Sequence, residues 1–229
     1  MRIELTKGMK KKRWRKLLTA WQQELDALWT GLHHGEAVWA WGEQTNTGIL
    51  AAAAGRAFAG NCLWMVETTL LRGANEDRRG RYDLWFQRNK PQWKVHMEAK
   101  HQWSAEMSRQ NLRKMRTKLS KAVDQAADLA RFDWTDEVVV VDFLVPNPRW
   151  DRFADVPARF ERFEDLVWEE LQLAGGEAFL ASFSVCAEEL KPLCAVGGND
   201  GAFPGVVLAG LLVKGGRKGA RRVRPGAVW

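Results

Sequence analysis

Apolar residues recur at steps of three and four from Lys10 to Leu32, at Trp14, Leu17, Leu18, Trp21, Leu25, Leu28, Trp29 and Leu32. That stripe predicts an amphipathic helix. Gly31 and Gly35, on either side of His33-His34, mark its end. A second helix is expected from about Asn46 to Ala59: Thr45 or Asn46 can cap it, Ala51 to Ala54 favour it, and Gly60-Asn61 close it. The period then shortens. Leu63 to Leu71, with Val66, Thr68 and Thr69, reads as a strand that runs into the turn-rich residues 73–80. Arg81 to Gln87 predicts a second strand, Asn89-Lys90-Pro91 a turn, and Trp93 to His101 a third strand, together an antiparallel meander.

Ser104 opens a long helix with Glu106 in its first turn and Leu112, Met115, Leu119, Ala122, Ala126 and Leu129 as its buried stripe. Glu137 to Val145 holds the unbroken run Val138-Val139-Val140-Val141, the pattern of a strand covered on both faces, and Pro146 and Pro148 stop it. Phe160, Phe163, Val167 and Leu171 define a further helix with acidic residues on its outer side. Phe179 to Cys186 alternates as a strand, Val206 to Val213 predicts one more, and Lys214 to Arg224 is Gly-rich and basic. The chain shows no internal repeat. This order predicts an α/β sandwich on a mixed sheet. It divides into an amphipathic helix on or beside the core (residues 1–35), a main domain (36–213) and a basic C-terminal tail (214–229).

Composition narrows the class. In 229 residues, 46% hydrophobic and 28% charged positions exclude a largely disordered chain. Lys and Arg number 35 against 28 Asp and Glu, a net charge of +7 that favours a polyanionic partner, nucleic acid before an anionic membrane surface. No stretch has the length of a membrane span, and the basic start from Lys10 to Lys16 is unlike a signal peptide. Cys62, Cys186 and Cys194 form neither a CxxC nor an even set, which argues against a disulfide scaffold or a zinc knuckle and fits a reducing cytoplasm. They are expected as small buried hydrophobes.

Chemistry concentrates where two of the predicted strands face each other. Val95, Met97 and Ala99 can face the core, which leaves His96, Glu98 and Lys100 on the opposite face. A hairpin would bring Asp83 beside Glu98 and Lys100. Two carboxylates so close repel unless one takes a proton or a cation sits between them. A hard ion such as Mg²⁺ takes one or two carboxylates and leaves water and phosphate as its other ligands. A lysine aimed at the same spot could orient or deprotonate a water and stabilise charge on phosphorus. The plainer alternative is a polar strand face with its own salt bridge. Glu189-Leu190-Lys191 is a second acid-x-Lys triplet, read as a strand end without function.

Asp83, followed by Glu98-Ala99-Lys100, resembles the PD-(D/E)XK, or restriction-endonuclease-like, nuclease superfamily. The resemblance runs from about Glu43 to Val145. It implies a core of helix, three-stranded antiparallel meander, helix and strand, here with an extra N-terminal helix and additional C-terminal helix and strands. It implies Asp83 and Glu98 as ligands of Mg²⁺, for which Mn²⁺ substitutes, and Lys100 as the catalytic lysine. Many members place a glutamate on the first core helix; Glu43 is the expected counterpart, with Glu67 the runner-up. Tyr82 stands where the motif's name has Pro. The implied activity is phosphodiester hydrolysis, in DNA first, in restriction, phage defence, mobile-element processing or repair. The alternatives are a non-catalytic module of the same fold that binds nucleic acid or protein, and a toxin-type nuclease domain.

The long helix after the motif carries Arg109, Arg113, Lys114, Arg116, Lys118 and Lys121, several of them opposite its apolar stripe, which suits a phosphate track. A solvated helix face is the alternative. Gln102 continues the Glu98–Lys100 face. Trp85, Trp93 and Trp103 border the motif and could stack on bases or pack. Trp14, Trp21 and Trp29 on the first helix belong to the core or to a surface for a homodimer or protein partner.

Overall fold

The computed structural model describes residues 1–34, 36–72, 78–104, 109–130, 137–146, 155–186, 189 and 203–213. The predicted tail from Lys214 to Arg224, together with Gly35, Pro148 and Cys194, lies outside them. The chain begins with β1 (Arg2–Leu5), α1 (Lys11–Gly31), a 3₁₀ turn (Val38–Ala40) and α2 (Glu43–Ala57). There follow β2 (Cys62–Arg72), β3 (Arg78–Arg88), β4 (Trp93–Ser104) and α3 (Arg109–Ala130), then β5 (Glu137–Pro146), α4 (Val156–Leu173), β6 (Glu177–Ser184) and β7 (Gly205–Val213). Among the described residues, these seven strands form one mixed sheet with four α-helices around it.

The sheet runs β1-β6-β7-β5-β4-β3-β2. β2, β3 and β4 are the expected antiparallel meander. β4 and β5 are parallel, as a crossover through α3 requires, and β7 pairs antiparallel with both β5 and β6. Two cores lie on opposite sides. Val139, Val141, Phe143 and Val145 of β5 pack with α1 and α2, whereas Val138, Val140 and Leu144 pack with α3 and α4. Burial on both sides explains why β5 has no polar alternation.

Helix α1 is held by burial. It has no side-chain cap at its N-terminus, a device worth about 1 kcal/mol. Trp14, Leu17, Leu18, Trp21 and Leu25 are fully buried, at about 1.5–3 kcal/mol for each aliphatic side chain. Trp14 stacks on Phe179 at 4.7 Å and donates its indole N–H to Glu137 at 2.9 Å, so α1 is tied to β6 and β5. Of the two readings given to the tryptophans of α1, core or partner surface, the core holds for Trp14, Trp21 and Trp29, while Leu28 and Leu32 of the same stripe are exposed.

Four further expectations differ from the structure. Ser104, expected to open the long helix, ends β4, and α3 begins at Arg109. β1 was not expected; it pairs with β6, nearly the whole chain away. α2 starts at Glu43 and not at Asn46, because the Asn46 amide turns inward, donating to the carbonyls of Trp39 (2.8 Å) and Gly42 (2.9 Å). Neither Thr45 nor Asn46 is the cap; Gly42 takes that position with φ +124°, a conformation that favours glycine. Cys62 is half-buried and Cys186 exposed, so the expectation of buried cysteines fails at both. No described helix is long and apolar enough to cross a membrane.

Candidate active site

The site sits where β3 and β4 separate. Their pairing runs from Arg88↔Trp93 to Leu84↔Met97 and goes no further. Beyond that point β3 stays with β2, and β4 continues beside β5 as far as Ser104↔Pro146. Leu84, Phe86, Val95, Met97 and Ala99 belong to the core under α1 and α2, so alternation turns His96, Glu98, Lys100 and Gln102 toward the α3 side. At the fork Asp83 replaces a strand bond with its own side chain: its Oδ2 accepts the Ala99 N–H at 2.7 Å.

Lys100 is the centre of the cluster. Its Nζ donates to Glu98 Oε1 at 2.9 Å and to the Ala99 carbonyl at 2.6 Å, with Asp83 Oδ2 at 4.0 Å. Burial by itself pulls the lysine down. The hydrogen bond to Glu98 and the charges of Glu98, Asp83 and Glu43 outweigh it and hold Lys100 above its ordinary value, an ammonium ion. Glu43, on the first turn of α2, is half-buried and within electrostatic reach of Asp83, Glu98, Lys100 and Lys118. Burial first, then Asp83 and Glu98, raise its carboxyl above the usual range, against the two lysines. The structure thus brings Asp83, Glu98, Lys100 and Glu43 together.

Glu67 lies across from Asp83, between the pairs Val66↔Leu84 and Thr68↔Tyr82. Its backbone takes φ +57° in mid-strand, a left-handed conformation that costs about 1–2 kcal/mol. The Gln44 amide on α2 donates to its carboxylate at 3.0 Å. Gln102 and His96 are buried on the β4 polar face, the latter edge-on to Trp85 at 6.3 Å. Trp93 is wholly buried, so stacking on bases is closed to it; Trp103 is 61 % exposed. Trp103 donates its indole N–H to Nε2 of His101 at 3.2 Å, and Lys118 Nζ donates to the His101 carbonyl at 3.0 Å. Burial, with the Lys118 charge, lowers His101 against a hydrogen bond to the Trp39 backbone.

The basic residues of α3 divide. Arg113, Lys114 and Lys121 are exposed. Arg116 forms an ion pair with Glu170 of α4 at 3.4 Å, which ties two helices together. Lys118 turns toward β4. The Arg109 side chain lies outside what is described. In the second acid-x-Lys triplet the Glu189 carboxylate accepts the Cys186 N–H at 3.1 Å, and Lys191 lies outside the described residues.

One residue was missed by sequence reasoning. Asp142 faces α3 from within β5, paired in register with Lys100, and is fully buried with neither carboxylate oxygen hydrogen-bonded. Burial pushes its carboxyl up to about 7, against Lys118 and Lys100 and with Glu43. Its one signal in the sequence was an acid inside an otherwise apolar strand run.

The donor set bears on a metal. Among the described residues no group of three or more His, Cys, Asp or Glu side chains is arranged to hold an ion. The oxygens that converge on the Lys100 ammonium belong instead to two carboxylates and one backbone carbonyl. All are hard donors, and two carboxylates are the usual protein share of a Mg²⁺ site. The ammonium stands where a small cation would meet them, so the residues fit Mg²⁺ or Mn²⁺. Comparison with protein-family models, with curated proteins and with solved structures gave no match.

Proposed function

We propose that this chain is a divalent-metal-dependent nuclease that hydrolyses phosphodiester bonds, with DNA as the first substrate. The observation that carries the reading is the convergence of Asp83, Glu98 and the Ala99 carbonyl on Lys100, at the point where β3 and β4 part. The order α2, β2–β3–β4, α3, β5, with β4 and β5 parallel, supports a restriction-endonuclease-like core.

Asp83 and Glu98, with the Ala99 carbonyl, would hold Mg²⁺, which supplies Lewis-acid polarisation and a water of lowered pKa. Lys100, kept protonated by its acidic neighbours, stabilises negative charge growing on the phosphoryl oxygens. Glu43 keeps a raised carboxyl beside it, able to hold a proton at the edge of the site. Arg113, Lys114 and Lys121 give the backbone of a nucleic acid a charged face to lie on.

The test is cleavage of supercoiled, linear and single-stranded DNA with Mg²⁺ or Mn²⁺. Glu98→Ala and Lys100→Ala are each expected to lower cutting by about 10²- to 10³-fold or more, and EDTA to abolish it. Full cutting by both variants would overturn the reading. Salt-sensitive DNA binding with no cutting by the wild type would leave the non-catalytic module in its place.

A further inference from the structure

We infer that Asp142 is a second seat for the Lys100 ammonium, occupied when the carboxylates of Asp83 and Glu98 are given over to a divalent cation, so that Asp142 positions the lysine for catalysis. The inference rests on the metal-dependent reading and adds a residue and a movement to it.

Asp142 has an unmet need. A buried polar group without a hydrogen bond costs about 1–3 kcal/mol, and more when charged. Asp142 is 0 % exposed and both its oxygens lack a partner. The other acids of the cluster differ: Asp83 accepts the Ala99 N–H, Glu98 accepts from Lys100, and Glu43 is only half-buried. Two cations lie within electrostatic reach of Asp142, Lys118 and Lys100. Lys118 is engaged with the His101 carbonyl. Lys100 occupies the donor set that a divalent cation would need.

Like charges exclude each other from that set. Lys100 must therefore leave Glu98 and Ala99 when Asp83 and Glu98 bind a cation, and its half-buried ammonium is then best placed against another anion. Asp142 is its register partner on the neighbouring parallel strand, on the same face of the sheet. With strands about 4.8 Å apart, the ammonium can reach that carboxylate by rotating its own side chain. Asp142 touches no reacting atom on this account; it acts through Lys100.

The test is Mn²⁺ binding to the full chain without nucleic acid, read by electron paramagnetic resonance, with a thermal melt of each variant to establish folding. Lys100→Met removes the competing ammonium and is expected to tighten Mn²⁺ binding. Asp142→Asn removes the second seat and is expected to weaken it by about tenfold. In the Lys100→Met background Asp142→Asn is expected to change nothing, because no lysine is left to receive. Asp142→Ala should give the same readings if asparagine disturbs the packing.

The ways of failing are separable. Wild-type binding that Glu98→Ala destroys and Asp142→Asn leaves unchanged would overturn the second seat while the metal reading stands. Equal weakening by Asp142→Asn in both backgrounds would make Asp142 a direct ligand and also overturn it. No Mn²⁺ binding by the wild type would overturn both.

Discussion

β4 and β5 lie side by side, parallel and in register over ten residue pairs, yet they are composed differently. In β5 every residue is buried, and Asp142 is the one interior position that is not apolar. In β4, Val95, Met97 and Ala99 alternate with His96, Glu98, Lys100 and Gln102, most of them also buried. What separates the strands is where their polar groups find partners. On β4, Lys100 bonds Glu98 and the Ala99 N–H bonds Asp83 of β3, at a fork in the sheet. On β5, helices packed over both faces leave the Asp142 side chain without a hydrogen-bond partner. A sheet can thus carry its chemistry on the strand where pairing stops and its stability on the next, and Asp142 is the place where the two arrangements touch.

That division can be broken from the structural side first. Gly210 of β7 pairs with Val141 of β5 and lies under the Phe179 ring, which a Cβ there would meet at 2.2 Å. Gly210→Ala is expected to destabilise the fold by about 3 kcal/mol, measured by urea unfolding, while folded molecules keep wild-type Mn²⁺ affinity. A change in affinity would mean that the two halves are coupled.

Asp142 tests the contact between them. Its folded-state carboxyl is raised from 3.8 to about 7, so the folded chain binds a proton that the unfolded chain has released. Its contribution is fully present below pH ~4 and is lost as the pH rises through about 7. Asp142→Asn should therefore match the wild type near pH 4 and exceed its stability by about 1–3 kcal/mol at pH 8. Parallel stability curves for the two proteins across that window would show that the carboxyl does not titrate in this way.

The smallest effect concerns α3, which covers the polar face. Lys121→Ala is expected to lower the salt dependence of DNA binding by about one unit of slope. Arg116→Ala should leave the slope alone, since Arg116 is committed to Glu170, and should cost at most about 1 kcal/mol. Equal slopes for the two variants would remove the distinction between an exposed track and a helix tie.

Much of this arrangement was legible in the sequence, and particular residues show why the rest was not. Alternation alone separated Glu98 and Lys100 from Val95 and Ala99, and the hairpin spacing put Asp83 beside them. The helical stripes of α1, α3 and α4 were equally plain, because burial enforces a period. Glu43 was named for the site, but its helix was begun three residues late, because an inward Asn46 amide and an outward capping one look alike in a sequence. β1 has only four residues, and its partner is set by the completed sheet. Asp142 depends on the register of β4 against β5, a non-local fact that no spacing within either strand encodes. Arg116 counted among six basic residues until Glu170 arrived from another helix.

The pairing of β1 with β6 also dictates an order of assembly. The Arg2 amide bonds Ser182, 180 residues away, so the edge of the sheet waits for nearly the whole chain to be synthesised. β7, which fills the gap between β5 and β6, arrives later still. The segment from α2 to β5 is contiguous, so its contacts can gather while the ribosome is still at work. Until β7 docks, however, β5 presents a bare, largely apolar edge to other nascent chains. Such late, long-range closure is slow and prone to aggregation, so the yield of active protein is governed by how quickly the C-terminal strands reach a strand that is already waiting.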